Sequence, residues 1–245
     1  MNYRMVIQYD GTRYKGWQRQ SSGNDTIQGR IEQVLSKRMN RVIQIDGAGR
    51  TDAGVHAMAQ IANVHLEETL DVHELKVYLN EYLPQDIRIM NVDIAGERFH
   101  SRLNATGKVY EYHLLKRDCY DVFRRKYCWQ MTEELHLDSM REAAGYLLGE
   151  HDFRAFCTKA SKKKSTIRRI DAIDMIETED RIVLHYEGNG FLYNMIRILT
   201  GTLVEVGEGK REAASVTEVL RCGQRRFAGE TAPAQGLFLT KVKYD

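Results

Sequence analysis

The chain has 245 residues and a mass of 28.4 kDa, enough for one large domain or two small ones. Hydrophobic residues make up 42% of it, charged residues 29%, and two residues are prolines, which excludes a disordered, collagen-like or acidic solvating chain. The 36 Lys and Arg residues against 34 Asp and Glu leave a net charge of +2, so any affinity for a polyanion must come from where the cations lie.

The cysteines and the hydropathy pattern narrow the class of protein further. The four cysteines include no C-x-x-C pair, so they indicate neither a zinc knuckle nor a dithiol redox motif, and we expect reduced thiols. The chain starts without an export signal, and no stretch approaches the roughly 18 apolar residues of a membrane span. We therefore expect a cytoplasmic protein that does not enter a membrane.

Strand and helix periodicities alternate along the first half of the chain. Residues 3–9 alternate as a half-buried strand that ends at an Asp-Gly turn. Thr26 and Asp71 are each suited to cap a helix, and Pro84 closes the second helix. In chain order, the pattern predicts a strand at 3–9, a helix at 27–38, a strand at 55–66, a helix between Asp71 and Pro84, and a strand at 87–92.

The second half repeats this alternation more loosely. The pattern predicts strands at 108–115, 168–176, 181–186 and 237–242, and helices that start at Asp138, at Asn189 or Gly190, and at Val216. We expect Gly149 to end the first of these helices in a left-handed conformation and Gly207 to end the second. The strands lack the continuous apolar runs of a buried parallel sheet. The sequence therefore predicts an α+β fold with a mainly antiparallel sheet and helices on one face, divided into halves at 1–105 and 106–245.

The loop at residues 47–54 carries the most informative motif. It begins like a dinucleotide-binding fingerprint, but Asp52 occupies the third glycine position and a strand follows, so a pyrophosphate would find no helix N-terminus. What remains is an acid two residues from Arg50, in a loop whose glycines allow a ligand or another backbone to approach closely. Arg50 could keep the Asp52 carboxylate ionised or grip a phosphate. A structural pair that braces a tight turn is an equally good interpretation.

Further short motifs accompany this loop along the whole chain. The loop itself reads Gly-Arg-Thr-Asp-Ala-Gly-Val-His-Ala at 49–57. The others are Tyr-Asp-Gly at 9–11 with Gly-Trp-Gln-Arg-Gln at 16–20, Phe-His-Ser-Arg at 99–102, Lys-Val-Tyr-Glu-Tyr at 108–112, His-Asp-Phe at 151–153, Asn-Met-Ile-Arg at 194–197 and Ala-Pro-Ala-Gln-Gly-Leu at 232–237. In type and in order, these segments resemble the TruA family of tRNA pseudouridine synthases. One loop could match by chance, but an ordered set of this length should not.

The resemblance implies an isomerase that converts uridine to pseudouridine without a metal or an organic cofactor. It implies that Asp52 is the catalytic aspartate, that Tyr110 stacks on or orders the target base, and that Arg50 and Arg197 line the active site. The residues alone would favour a cross-strand core tyrosine at position 110 and a helix residue whose charge needs a partner at position 197. One ionised carboxylate suffices for the chemistry, as a nucleophile at C1′ or C6 or as a base that removes the C2′ proton.

The resemblance also implies a substrate and an assembly. It implies modification of uridines at positions 38 to 40 in the anticodon stem-loop of tRNA, and a homodimer in which one tRNA contacts both subunits. It further implies two similar α/β-sandwich halves with the active-site cleft between them. A dimer is physically reasonable, because a tRNA spans farther than one subunit of this size.

Two basic clusters are candidates for RNA contact, one beside Trp17 and one in the acid-free run between Asp152 and Asp171. Structured RNA is recognised through shape, phosphates and exposed loop bases, so dispersed cations suit a protein of small net charge. A solvated loop and a tryptophan that fills the core are the plainer interpretations. The predicted RNA-contacting residues are Arg19, Lys162, Lys163, Lys164 and Arg168.

Two alternative functions stay open from the sequence, and a third, a zinc deaminase, is opposed by an incomplete motif. His65-Leu66-Glu67 mimics the H-x-E element of a zinc deaminase, but the P-C-x-x-C partner of that element is absent. A non-catalytic RNA-binding or RNA-folding protein on the same scaffold would not need Asp52. A duplicated synthase could act on a different RNA.

Overall fold

The computed structural model describes residues 1–20, 25–158 and 165–245. They form two compact units, one of Met1–Thr106 with Phe238–Asp245 and the other of Gly107–Leu237. The C-terminal segment therefore returns to the unit in which the chain starts.

All the predicted strands and helices are present, together with three short strands that the sequence pattern did not predict, Asp46–Gly47, Trp129–Gln130 and Gly149–Asp152. The strands are β1 (Asn2–Tyr9), β2 (Asp46–Gly47), β3 (His56–His65), β4 (Ile87–Ala95), β5 (Gly107–Leu115), β6 (Trp129–Gln130), β7 (Gly149–Asp152), β8 (Ile167–Glu177), β9 (Arg181–Gly188) and β10 (Leu237–Lys243). The α-helices are α1 (Ile27–Met39), α2 (Val72–Tyr82), α3 (Leu137–Gly145), α4 (Met195–Gly207) and α5 (Ser215–Cys222).

The two helix caps predicted in the first unit are confirmed. The hydroxyl of Thr26 accepts a hydrogen bond from the Gly29 amide at 3.2 Å. The carboxylate of Asp71 accepts from the amides of His73 and Glu74, both at 2.9 Å. Each side chain satisfies amides that the first turn leaves without a partner in the helix, which fixes where α1 and α2 begin.

The predicted cap and end of α3 are wrong. Asp138 lies inside the first turn, where its carboxylate accepts from Nη1 of Arg141 at 2.8 Å instead of from a backbone amide. His136 occupies the N-cap position without a side-chain hydrogen bond. Gly149 has a φ of 90°, but it starts β7, and α3 ends at Gly145.

The predicted start of α4 at Asn189 or Gly190 is also wrong. The Asn189 amide donates to the carbonyl oxygen of Arg169 at 3.1 Å, and its side-chain Oδ1 accepts from the Arg169 amide at 3.0 Å. Asn189 therefore extends the pairing of β9 with β8 and is not available to start a helix. The first turn of α4 follows Asn194, which has a φ of 60°.

In the first unit, the strand order is β4-β1-β3-β10, and β2 adds to β3. β1 pairs antiparallel with β3 and β4, and β10 runs parallel to β3. Helix α2 packs against β4, and α1 packs against α2. Alternate residues of β1 are buried in the core of this unit: Tyr3, Met5, Ile7 and Tyr9.

In the second unit, β5, β9, β8 and β7 pair antiparallel in that order, and β6 runs parallel to β5. Helix α3 packs against α4 and β8. The core includes Tyr186 of β9, whose hydroxyl lies 2.8 Å from that of Thr200 on α4. The prediction of an α+β fold with a mainly antiparallel sheet is thus confirmed. Across the described parts of the chain, no helix combines the length and the hydropathy that a membrane crossing requires.

Candidate active site

The loop at residues 47–54 connects the paired strands β2 and β3, and β3 holds its first half in place. The Ala48 amide donates to the carbonyl oxygen of Ile61 at 2.7 Å. The side-chain amide of Gln60 donates to the carbonyl oxygen of Gly49 at 2.9 Å, and Gln60 is fully buried. The backbone that leads to the predicted catalytic residue is therefore hydrogen-bonded to the sheet and is not a free surface loop.

A buried pair of hydroxyls lies under the middle of the loop. The hydroxyl oxygens of Tyr9 and Thr51 are 2.7 Å apart, and both residues are buried. Burial raises the pKa of Tyr9, against smaller opposing effects of its hydrogen bonds with Thr51 and Gln60, so the phenol is protonated at neutral pH. The carbonyl oxygen of Thr51 accepts from the Trp17 amide at 3.1 Å, and Trp17 fills the core, as its plainer interpretation predicted.

Two glycines allow this packing. Gly54 has a φ of 79° in a turn that the Val55 amide closes by donating to the carbonyl oxygen of Asp52 at 3.1 Å. Gly16 has a φ of 92°, and a Cβ there would lie only 2.6 Å from the carbonyl oxygen of Thr51. Gly16 has no room for a side chain, and the positive φ of Gly54 favours glycine, so the backbone on each side of Asp52 is restricted to this path.

The acid and the cation of the motif lie on the surface of the first unit. Asp52 is partly exposed and Arg50 is exposed. Nε of Arg50 donates to Oε1 of Gln18 at 3.1 Å. The carboxylate of Asp52 is thus accessible to a ligand, and the guanidinium of Arg50 is oriented by its hydrogen bond to Gln18.

Tyr110 lies on β5 in the second unit, opposite Tyr186 of β9. Its ring is buried and meets Phe191 edge to face, with ring centroids 5.5 Å apart and an interplanar angle of 86°. Tyr110 therefore occupies a core position opposite a residue of the neighbouring strand, as the sequence alone favoured. Its proposed contact with the target base stays a prediction.

Arg197 lies in the first turn of α4 and connects two of the sequence motifs. Its Nε donates to the carbonyl oxygen of Ala232 at 2.7 Å, and its Nη1 donates to the side-chain oxygen of Asn194 at 2.9 Å. The Ala232 amide donates in return to the carbonyl oxygen of Arg197 at 3.1 Å. The segments at 194–197 and 232–237 are thus hydrogen-bonded together, and the guanidinium of Arg197 has a fixed orientation.

The predicted RNA-contacting cations differ in how they are held. Nη1 of Arg19 lies 3.1 Å from the carboxylate of Glu32, which is buried. Nη1 of Arg168 donates to the carbonyl oxygens of Ser165 and Ile167, and burial lowers the pKa of Arg168. Lys162, Lys163 and Lys164 lie outside the described residues.

The H-x-E segment lies at the end of β3. Nε2 of His65 is 3.1 Å from the carbonyl oxygen of Glu97. Within residues 1–20, 25–158 and 165–245, the His, Cys, Asp and Glu side chains form no group of three that could hold a metal ion.

Two buried polar residues near the site were not predicted from the sequence. Gln28 and Glu32 are buried on α1, on the side of the helix that also carries the buried Ile27, Ile31 and Leu35. Polar residues one turn apart within an apolar stripe are unusual, so their spacing was a signal that these two side chains have buried partners.

Comparisons with known proteins give one consistent result. The family model described as tRNA pseudouridine synthase matches residues 5–104 and 143–245. The chain is 48% identical over 243 residues to tRNA pseudouridine synthase A of Bacillus sp. (strain KSM-64), and the match covers 99% of each chain. It is 43% identical to tRNA pseudouridine synthase A 2 of Bacillus anthracis, again over 99% of each chain. It is 40% identical to tRNA pseudouridine synthase A 2 of Clostridium tetani (strain Massachusetts / E88), over 100% of this chain and 99% of the relative.

A solved structure titled "Crystal Structure of a Cbf5-Nop10-Gar1 Complex" aligns with a TM-score of 0.42 and 12% identity, over 97% of this chain and 48% of that one. The assignment to a family rests on the sequence matches, which extend over residues of both units. They confirm the resemblance drawn from the ordered motifs: the chain belongs to the tRNA pseudouridine synthase family.

Proposed function

We propose that this protein isomerises uridine to pseudouridine in tRNA and that the carboxylate of Asp52 is its catalytic group. The observation that carries the proposal is the setting of Asp52, a partly exposed acid on a loop that β3 and a glycine turn hold in one conformation. Full-length similarity to proteins named tRNA pseudouridine synthase favours an enzyme over a non-catalytic RNA-binding protein.

The reaction requires one ionised carboxylate in a defined position beside the target nucleotide. The N1–C1′ bond breaks, the uracil turns while it is bound, and C5 joins C1′. The hydrogen on C5 leaves as a proton and N1 gains one, so atoms and oxidation state balance. A carboxylate can attack C1′ or C6, or remove the C2′ proton, and all three routes need Asp52 fixed against the target nucleotide.

The roles of the other site residues follow from the chemistry of their side chains. Tyr110 would supply an aromatic face for the everted base, an interaction of about 1 to 3 kcal/mol per base. Arg197, with two of its nitrogens already hydrogen-bonded, and Arg50, held by Gln18, would supply cations for the phosphates or the developing charge.

The test is conversion of uridine to pseudouridine in transcribed tRNA by the wild type, by Asp52→Ala and by a matched control. Asp46→Ala is that control, because Asp46 is an exposed acid just before the same loop. We expect conversion by the wild type and the control and none by Asp52→Ala, with tRNA binding kept in all three. Binding without conversion by the wild type would instead establish the RNA-binding alternative, and release of ammonia would establish the deaminase.

We infer that the target uridines lie in the anticodon stem-loop, at tRNA positions 38 to 40. The ordered motifs support this, while several relatives are named tRNA pseudouridine synthase A 2, which leaves a duplicated enzyme with another target as the competing outcome. Pseudouridine mapping of total RNA from cells with and without the protein separates the two. Loss of signal in the anticodon arm supports the inference, and unchanged tRNA with altered ribosomal RNA overturns it.

We further infer a cytoplasmic homodimer that holds tRNA through dispersed cations. The extent of a tRNA relative to a 28.4 kDa chain supports two subunits per RNA, and light scattering should give twice that mass. Replacing Lys162, Lys163 and Lys164 by Gln should weaken tRNA binding and reduce its dependence on salt, because fewer phosphate contacts release fewer counterions.

A further inference from the structure

A series of hydrogen bonds connects Glu32, a buried residue of α1, to Arg50 in the loop at residues 47–54. The series passes through the side chains of two glutamines. Glu32 is almost fully buried, so its charge needs partners. Its Oε2 accepts from Nη1 of Arg19 at 3.1 Å. Its Oε1 accepts from the Ile45 amide at 3.0 Å and from Nε2 of Gln28 at 2.8 Å. Both oxygens of Glu32 therefore act as hydrogen-bond acceptors in these contacts.

The carboxylate determines which way the first glutamine faces. The side-chain nitrogen of Gln28 donates to Glu32 and also to the carbonyl oxygen of Ile45 at 3.1 Å. A flipped amide would bring its oxygen against the carboxylate and that carbonyl, so the flipped state is excluded. The Gln28 oxygen therefore points away from Glu32 and accepts from the Arg19 amide at 3.1 Å and from the side-chain nitrogen of Gln18 at 2.7 Å.

The same logic orients the second glutamine. Because Gln18 gives its nitrogen to Gln28, its oxygen faces outward, where it accepts from Nε of Arg50 at 3.1 Å. A reversed Gln18 would place an NH₂ group against the guanidinium. The orientation of the Gln18 oxygen, which accepts from Arg50, is thus determined by Glu32 through this series of hydrogen bonds.

We propose that Glu32, Gln28 and Gln18 form a polar relay that positions Arg50 for the substrate. This rests on the proposed function, because Arg50 matters only where the loop around Asp52 is the active site. Arg50 is exposed, so without Gln18 its side chain samples many rotamers, and the bound nucleotide must then order it. Gln18, Gln28 and Glu32 are positioning residues, and their effect passes through Arg50.

The relay predicts a specific change in kinetics. Gln18→Met keeps the length of the side chain and removes both hydrogen bonds, and Gln18 is exposed, so the fold should tolerate it. We expect the turnover rate at saturating tRNA to fall about 3- to 10-fold, the effect of having to order one long side chain at each turnover. The Kd for tRNA should change less than about twofold, because many phosphate contacts determine it. The control is Gln44→Met, an exposed glutamine of the same unit, which should match the wild type.

The decisive experiment is a double-mutant cycle with Arg50→Ala, scored as single-turnover conversion in transcribed tRNA. Gln18→Met should have no further effect in the Arg50→Ala background, because the residue through which it acts is gone. Equal losses with and without Arg50, or a Gln18→Met enzyme with wild-type turnover, would overturn the relay. Failure of the wild type to convert uridine at all would instead reject the proposed function. Gln28→Met, which removes the oxygen that accepts from Gln18, should lower turnover like Gln18→Met, and a Gln28→Met enzyme that folds and turns over normally would also contradict the relay.

Discussion

Gly16→Ala should damage the loop that carries Asp52 without touching Asp52 itself. The added Cβ would lie 2.6 Å from the carbonyl oxygen of Thr51, 3.1 Å from the carbonyl carbon of Asp52 and 3.2 Å from the Ala53 amide nitrogen. These are all backbone atoms, and the Thr51 oxygen also holds the Trp17 amide. Relieving the clash therefore requires a backbone shift, either in the loop or in the segment around residue 16 that packs on it.

The magnitude follows from two contributions. A non-glycine residue at a φ of 92° costs roughly 1 to 2 kcal/mol, and overpacking against fixed backbone costs roughly 1 to 3 kcal/mol. The free energy of unfolding should thus fall by about 2 to 5 kcal/mol. A displacement of about 1 Å at Asp52 lowers the rate of conversion by about 100-fold.

The assay pairs urea unfolding with conversion of tRNA, measured as release of the hydrogen on uridine C5. Gly96→Ala is the control, because a Cβ at Gly96 meets nothing within 4 Å. It should keep both the stability and the rate of the wild type. A Gly16→Ala protein that unfolds at the wild-type urea concentration and converts tRNA at the wild-type rate would refute the single fixed backbone path that the loop is argued to have.

Three further predictions concern stability. Thr26→Ala removes the cap of α1 and should cost about 1 kcal/mol in urea unfolding, whereas His136→Ala, at a cap position without a side-chain bond, should cost only a few tenths of that. Tyr9→Phe leaves the buried Thr51 hydroxyl without this bond and should cost about 1 to 3 kcal/mol, part of which Thr51→Val in the same protein restores; an additive double variant would contradict the pairing. Burial lowers the pKa of His113 below its usual 6.5, against the smaller opposing effect of its hydrogen bond to Glu111. As the pH falls, the unfolded chain therefore protonates His113 before the folded protein does. The contribution of His113 to the free energy of unfolding should be full above pH 6.5 and should fall as the pH drops below that value. In unfolding curves measured between about pH 5 and 8, His113→Gln should therefore reduce the dependence of this free energy on pH. An unchanged pH dependence would show that other groups cause it.

Local signals in the sequence were enough to predict most elements of the fold. Thr26 and Asp71 cap their helices through amides two or three residues away, so the chemistry that sets those boundaries is visible in the sequence itself. Alternation likewise predicted β1 and β3. The prediction of a helix cap failed at Asp138, because its carboxylate accepts from Arg141 and not from a backbone amide.

Long-range pairings account for what the sequence could not predict. The sequence pattern predicted that a helix starts at Asn189, but its hydrogen bonds with Arg169 on another strand hold it beside the sheet instead. β2 has only two residues and exists through its pairing with β3. The same holds at the candidate site. The motif around Asp52 was recognisable in the sequence, but the contact of Tyr9 with Thr51 and the hydrogen bond of Arg50 to Gln18 form only in the folded chain.

Single-turnover conversion of saturating tRNA by Asp52→Asn tests whether the carboxylate of Asp52 catalyses the reaction. This change keeps the shape of the side chain and removes its charge, so tRNA binding should match that of the wild type. We expect the rate to fall on the order of 1,000-fold or more, the scale of losing an essential catalytic group. A variant that binds tRNA normally and converts it within about tenfold of the wild-type rate would contradict the role of this carboxylate.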